Sequence, residues 1–208
     1  MIIKICGLRE EENIKEISLL KPDYMGFIFY PKSPRNAYHM LPETVQRLPS
    51  QIKRTGVFVN STFEEILRIA NKYNLHTVQL HGEESTELCG NLKNQGLEVI
   101  KAFKIKSSDS NILMSNLLPY KDYVDLFLFD TAGAAPGGNG NKFDWEILSN
   151  YNLTKPYLLS GGIGPEDSKA LKRGLPPQCL GIDVNSKFEI SPGYKNISKL
   201  KLFLDSLQ

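Results

Sequence analysis

The sequence predicts an α/β fold in which eight parallel strands alternate with helices and close into a single-domain (β/α)8 TIM barrel. Three observations lead there. Short runs rich in Ile, Val, Leu and Phe recur at 2–6, 24–29, 55–59, 77–81, 99–103, 124–130, 156–161 and 180–184, and such runs read as strands. The segments between them carry helical periodicity, and strands alternating with helices imply a parallel sheet. The strand count is the one at which such a sheet closes on itself. Eight units in 208 residues leave about 26 residues per strand–helix pair, so there is little spare loop. An open doubly wound sheet is the competing fold. It normally carries a glycine-rich phosphate turn after its first strand, and Cys6-Gly7-Leu8-Arg9 is not one.

The elements follow in chain order. The first strand, Ile2-Ile3-Lys4-Ile5-Cys6, stops at a thiol followed by Gly7, and an acidic helix occupies 10–20. Alternation sets Lys4 on the inward face with Cys6. An ammonium there needs an acid beside it, and it would favour the Cys6 thiolate. Strand two runs into a long loop, 30–41, stiffened by Pro31 and Pro34. The helix at 63–73 sets Phe63, Ile66, Leu67 and Ala70 on one face and Glu64, Glu65 and Arg68 on the other. Ser61-Thr62-Phe63-Glu64 has the form of a capping box, with Thr62 or Ser61 as cap. A helix at 84–95 follows strand four, and Ser107-Ser108-Asp109-Ser110 reads as a polar loop or helix start after strand five. Strand six is followed by the second long loop, 131–142, and strand seven by a helix at 165–172. A last helix at 196–207 presents Ile197, Leu200, Phe203, Leu204 and Leu207 on one face. No linker or low-complexity tract divides the chain, so 1–208 is expected to be one domain.

Composition narrows the function. Twenty-five basic against 23 acidic residues advertise no face for nucleic acid. No apolar run approaches the roughly 20 residues that span a bilayer, and the first residues lack signal-peptide architecture. Cys6, Cys89 and Cys179 are odd in number and widely spaced, which suits a reducing cytoplasm rather than a disulfide framework. His39, His76 and His81 are scattered, so no metal site is expected. The partner expected is a small molecule, with the chain a monomer or homodimer.

Barrel enzymes place their chemistry at the carboxyl ends of the strands. Cys6 stands at one such end. A thiol titrates closer to neutrality than a carboxylate or lysine, which makes it a usable general base where a charge favours the thiolate. A small buried core residue is the other reading, and the preferred one for Cys89 and Cys179. Asp130 ends the apolar run Val124-Asp125-Leu126-Phe127-Leu128-Phe129-Asp130. Desolvation there favours the protonated carboxyl and suits a general acid, while a turn-capping role is the alternative. Glycines free backbone N–H groups to approach an anion. Gly137-Gly138-Asn139-Gly140 follows strand six and Gly161-Gly162-Ile163-Gly164 follows strand seven. The loops after strands seven and eight are the usual phosphate site of a barrel, and Asn185 and Ser186 after strand eight can complete it. Arg35 can hold a carboxylate through two parallel hydrogen bonds, or be a solvated loop residue. His81 ends strand four and either contacts substrate or is a polar residue of the mouth.

Taken together, these pieces resemble the phosphoribosylanthranilate isomerase family. They are Lys4-Ile5-Cys6-Gly7, Gly26-Phe27-Ile28-Phe29-Tyr30-Pro31-Lys32-Ser33-Pro34-Arg35, Gly56-Val57-Phe58-Val59, Val78-Gln79-Leu80-His81-Gly82 and Phe129-Asp130-Thr131. Gly137 to Gly140, Phe143-Asp144-Trp145, Leu159-Ser160-Gly161-Gly162-Ile163 and Gly181-Ile182-Asp183-Val184 continue the series. The resemblance spans the chain and rests on the order and spacing of the pieces. It implies an Amadori rearrangement of N-(5-phosphoribosyl)anthranilate, a phosphosugar, to 1-(2-carboxyphenylamino)-1-deoxyribulose 5-phosphate, with no cofactor and no metal. It also implies roles. Asp130 is the acid that opens the ribose ring and Cys6 the base that takes the C2 proton. Arg35 holds the anthranilate carboxylate, Asp183 the sugar hydroxyls, and Gly138, Gly140, Gly161, Gly162, Asn185 and Ser186 the phosphate.

Two loops depart from the family pattern, mildly at Asn139 in the glycine-rich loop, where serine or threonine is usual, and more strongly after strand eight. Where the family usually reads Asp-Val-Ser-Ser-Gly-Val-Glu, this chain has Asp183-Val184-Asn185-Ser186-Lys187-Phe188-Glu189. A lysine in place of a glycine with positive φ would be strained by about 1–2 kcal/mol, or would add charge to the phosphate site. Two other functions compete. A metal-dependent phosphosugar epimerase lacks its histidine set here, and a non-catalytic binding barrel has no need of both Cys6 and Asp130.

Overall fold

A computed structural model of the chain describes residues 1–105, 110–130, 148 and 151–208, with the side chains of 110–113 outside that set. Its strands are β1 (Ile2–Ile5), β2 (Tyr24–Phe29), β3 (Lys53–Phe58), β4 (Thr77–Leu80), β5 (Glu98–Lys104), β6 (Leu126–Asp130), β7 (Tyr157–Ser160) and β8 (Cys179–Val184). They pair in sequential order, all parallel, and β8 returns to β1 to close the barrel. Helices α1 (Glu11–Ser18), α2 (Pro42–Gln46), α3 (Phe63–Tyr73), α4 (Thr86–Asn94), α5 (Ser110–Leu117), α6 (Ser168–Lys172) and α7 (Ile197–Ser206) lie between and after the strands. The predicted strands all form, with ends displaced by one or two residues where pairing, which hydropathy does not report, decides the limit. Among the described residues no helix is long and apolar enough to cross a membrane.

The alternation along each strand separates two apolar regions. Ile100, Ala102, Leu126, Leu128 and Leu158 fill the barrel interior with Tyr24. Their neighbours Val99, Phe127, Phe129, Tyr157 and Leu159 face outward into the larger core beneath the helices. The interior turns polar toward the mouth, where Lys4, Gln79 and Asp183 are buried.

Helix α3 occupies the predicted span. Thr62 is its cap, with its hydroxyl accepting from the Glu65 N–H at 3.2 Å. Its buried stripe is Ile66, Ile69, Ala70 and Tyr73, turned from the expected one because Tyr73 packs on Phe29 with ring centres 4.9 Å apart. Helix α7 buries Leu200 and Phe203 as its pattern predicts. The segment 165–172 is a 3-10 turn, Pro165–Asp167, followed by the short α6. A hairpin that the sequence did not suggest, β9 (Glu189–Ser191) with β10 (Tyr194–Lys195), follows β8. It docks on α1 through Asn13, whose amide donates to the Lys195 carbonyl at 2.9 Å and accepts from the Lys195 N–H at 2.7 Å.

Closure leaves no room for a side chain at Gly181. A methyl group there would overlap the Ile2 backbone across the β1–β8 seam. Gly181→Ala is therefore expected to lower stability by about 1–3 kcal/mol, read as a lower urea midpoint at an unchanged slope.

Candidate active site at the carboxyl ends of the strands

Parallel strands point their carboxyl ends to one mouth. A pocket of about 220 Å³, open to solvent, lies there. Cys6 lines it from the end of β1, Gln79 and His81 from β4, Asp130 from β6 and Asp183 from β8. On the β7–β8 side its wall is Ser160, Gly161, Gly162 and Ile163 with Asn185, Ser186 and Lys187.

Cys6 is 4% exposed. Its N–H donates to the Val184 carbonyl at 2.9 Å, which continues the seam beyond β1. Its thiol fits because β2 carries Gly26 beside it: a Cβ at Gly26 would stand 2.7 Å from the Cys6 Sγ. Gly7 has φ +76°, and a Cβ there would meet the Asn185 amide oxygen at 2.6 Å. Glycine is needed on both counts.

Lys4 is fully buried below Cys6, and its Nζ donates to Asp183 Oδ1 at 2.9 Å. The acid partner expected of a buried lysine is thus Asp183, opposite it in the β1–β8 register. Burial works against the Lys4 ammonium, but Asp183 and Cys6 outweigh it and hold its pKa above the ordinary value. Burial also pushes the Cys6 thiol up. Lys4 and Lys195 pull it back without cancelling the rise. Lys4 does favour the thiolate, as expected, yet desolvation is the larger effect.

A second charged cluster rims the site. Arg35 donates from Nε and Nη2 to both oxygens of Glu189, at 2.8, 3.0 and 2.6 Å. Lys195, fully buried, donates to Glu189 Oε1 at 2.8 Å and to Asn185 Oδ1 at 2.5 Å. Burial alone would raise the Glu189 carboxylate; hydrogen bonds from Arg35 and Lys195 overcome it and bring the pKa to about 2. Arg35 therefore stands at the rim, held by Glu189, and does not line the pocket. Across the mouth, His81 Nε2 lies 3.2 Å from Asp130 Oδ2. Asp183 Oδ2 lies 3.4 Å from the Ser160 hydroxyl.

Gly161 and Gly162 have φ +94° and +71°. Nothing stands within 4 Å of where a Gly162 Cβ would be, so backbone conformation rather than crowding calls for glycine there. Gly138 and Gly140, with the rest of the loop after β6 and Phe143-Asp144-Trp145, lie outside the described residues. Among the described residues no group of three or more His, Cys, Asp or Glu side chains could hold a metal ion. Cys89 and Cys179 are away from the pocket, Cys89 inside α4 and Cys179 at the start of β8. Burial pushes each thiol up to about 11.

The family model for N-(5'phosphoribosyl)anthranilate (PRA) isomerase matches residues 3–206. The chain belongs to the N-(5'-phosphoribosyl)anthranilate isomerase family. It is 44% identical to the N-(5'-phosphoribosyl)anthranilate isomerase of Parabacteroides distasonis, over all of this chain and 93% of that one. Its fold matches the crystal structure of the phosphoribosyl anthranilate isomerase of Thermotoga maritima with a TM-score of 0.83 and 34% identity, covering 100% of this chain and 98% of the other. A further crystal structure of such an isomerase, in complex with reduced 1-(o-carboxyphenylamino)-1-deoxyribulose 5-phosphate, matches at a TM-score of 0.81 and 33% identity, over 100% and 98% of the two chains.

Where this family usually has a glycine, Lys187 is not strained. The described non-glycine residues with positive φ are Lys21, Asn60, Asn74 and Gln178. Lys187 instead lies in a 3-10 turn, Ser186–Phe188, and its carbonyl accepts from Lys199 Nζ at 2.6 Å. The strain expected for a lysine is absent because the turn keeps a backbone any residue adopts. Glu189, Lys195 and Gln79 were not singled out by sequence reasoning. The first two lie in an unanticipated hairpin. Gln79 did carry a signal, since it is polar and alternates inward with His81.

Two outcomes follow from these charges. Lys4→Met is expected to move the pH at which Cys6 alkylates half-maximally further upward, because the lost cation opposed the rise and the stranded Asp183 carboxylate adds to it; rates of iodoacetamide labelling across pH measure this. Glu189→Gln strands two cations and is expected to lower stability at pH 7. Folding depresses the Glu189 pKa from 4.5 to about 2, so its contribution is complete above about pH 4.5 and is lost as pH falls toward 2. Urea-unfolding free energies of wild type and variant should differ at pH 7 and converge over that acid window.

Proposed function

We propose that this barrel, acting as one catalytic domain over 1–208, isomerises N-(5'-phosphoribosyl)anthranilate to 1-(2-carboxyphenylamino)-1-deoxyribulose 5-phosphate, the Amadori step of tryptophan biosynthesis. One observation carries the reading: Cys6 and Asp130, from strands on different sides of the barrel, line the same pocket in a chain of this family.

The reaction moves protons within one molecule and needs no net oxidant. Asp130 gives a proton to the ribose ring oxygen, and the C1–O bond breaks to leave a Schiff base. Cys6, as thiolate, takes the proton from C2, and the resulting enolamine tautomerises to the aminoketose. The raised Cys6 pKa makes the thiolate scarcer and more basic. Lys4, Lys195 and Arg35, which all interact electrostatically with Cys6, supply the counter-charge when it forms. The guanidinium edge that Glu189 leaves open meets the anthranilate carboxylate, and Asp183 the sugar hydroxyls. Phosphate is held by the backbone of Gly161 and Gly162 with Asn185, Ser186 and the loop carrying Gly138 and Gly140; Lys187 adds charge on that side. Fixing both ends of the substrate places the reacting carbons with entropy already lost on binding. Free Cys6, Cys89 and Cys179 suit a cytoplasmic setting, with the chain a monomer or homodimer.

The test is turnover of substrate generated in place. Cys6→Ser and Asp130→Asn are each expected to lose about 10²–10⁴-fold in kcat, the contribution typical of one acid or base. Both should keep the barrel's circular dichroism and bind the reduced product analogue. Full activity in Cys6→Ser would place the base elsewhere.

A further inference from the structure

Gln79 is 1% exposed, lines the pocket, and has a side-chain carbonyl oxygen with no hydrogen-bond partner. Its strand neighbours across the ladders are Val57 on β3 and Ile100 on β5, neither of which offers a side-chain donor. The amide nitrogen is turned to His81 Nδ1 at 3.4 Å, and His81 Nε2 in turn lies 3.2 Å from Asp130 Oδ2. The carbonyl oxygen is closed off from solvent, and Gln79 is among the residues that line the cavity shared with Cys6 and Asp130. A buried acceptor without a partner costs free energy in the folded protein. The pocket is where that cost can be recovered.

We propose that Gln79 is a substrate-positioning residue whose carbonyl oxygen accepts a hydrogen bond from a hydroxyl of the bound sugar. The contact rests on the isomerase reading above for the identity of the sugar. It ties ligand orientation to the acid: a hydroxyl on Oε1 keeps Nε2 on His81 Nδ1, which leaves the imidazole proton on Nε2, facing Asp130. Substrate lacking that hydroxyl would leave the amide free to turn and the acid without its oriented neighbour.

The experiment compares wild type, Gln79→Leu and Gln79→Met for thermal midpoint, kcat/KM, and binding of the reduced product analogue and of versions of it lacking one sugar hydroxyl each. An apolar replacement removes the unsatisfied oxygen, so stability is expected to hold or rise, by about 2–4 °C for a chain of this size. Affinity for the full analogue and kcat/KM should fall about tenfold, the scale of one hydrogen bond to a buried acceptor. One deoxy analogue should lose that same factor on wild type and nothing further on the variants. A residue that only filled space would not couple to any hydroxyl. Equal affinity of wild type and both variants for the full analogue, or equal losses for every deoxy analogue on all three proteins, would overturn the proposal. Wild type without isomerase turnover but with the coupled loss would instead overturn the substrate reading and leave Gln79 as a sugar contact.

Discussion

The buried ion pair between Lys4 and Asp183 is the constraint on which the rest of this site depends. It spans the seam where the last barrel strand returns to the first, in register, and joins residues 179 apart in sequence at 2.9 Å. A carboxylate and an ammonium so far from water are tolerated because each satisfies the other, and removing one partner of such a pair typically costs about 3–5 kcal/mol. This contact thus reinforces the strand pairing that closes the barrel, sets a cation under Cys6 and leaves the second carboxylate oxygen of Asp183 beside Ser160 at the pocket wall. The seam and the electrostatic surroundings of Cys6 share the same two side chains.

The hairpin after β8 adds a second set of charges. Lys195 is brought from near the end of the chain into full burial, and Glu189 is shared between it and Arg35. Arg35 is consequently pre-oriented before any ligand arrives, which lowers the entropy that binding must spend on its long side chain. Around Cys6 the result is a thiol raised by burial yet surrounded by cations. That balance keeps the group protonated at rest and gives its anion a prepared environment when the proton leaves. Gly26 and Gly7 make the arrangement possible by yielding space, one to the thiol and the other to Asn185 and Arg35.

Part of the site was legible in the sequence. Cys6, His81 and Asp130 each stand where an apolar run stops, and in a parallel barrel every such stop faces the same mouth. Their convergence in one pocket followed from strand count and direction. Arg35 was legible as a residue of the active face, though not as the partner of Glu189. Lys195 and Glu189 carry no local signal, because a lysine and a glutamate in a polar stretch look like solvated surface until a distant strand buries them. Lys187 illustrates the opposite error: a comparison of residue types suggested backbone strain, and the turn that forms there has none.

By itself the sequence determined the eight strands, the inward and outward alternation along them, the span of α3, the apolar face of α7, and the end of the barrel at which the pocket opens. These are written in periods of two and 3.6 residues, which neighbouring side chains impose on one another. The tertiary structure alone decided which acid neutralises Lys4, that Arg35 is engaged by Glu189, that Gln79 is left with an open acceptor, and that desolvation outweighs the cations at Cys6. Each of these depends on how far a group is removed from water and on which sequence-distant charge stands beside it. Burial and Coulomb energy are set by distances in space, and a linear pattern does not record them.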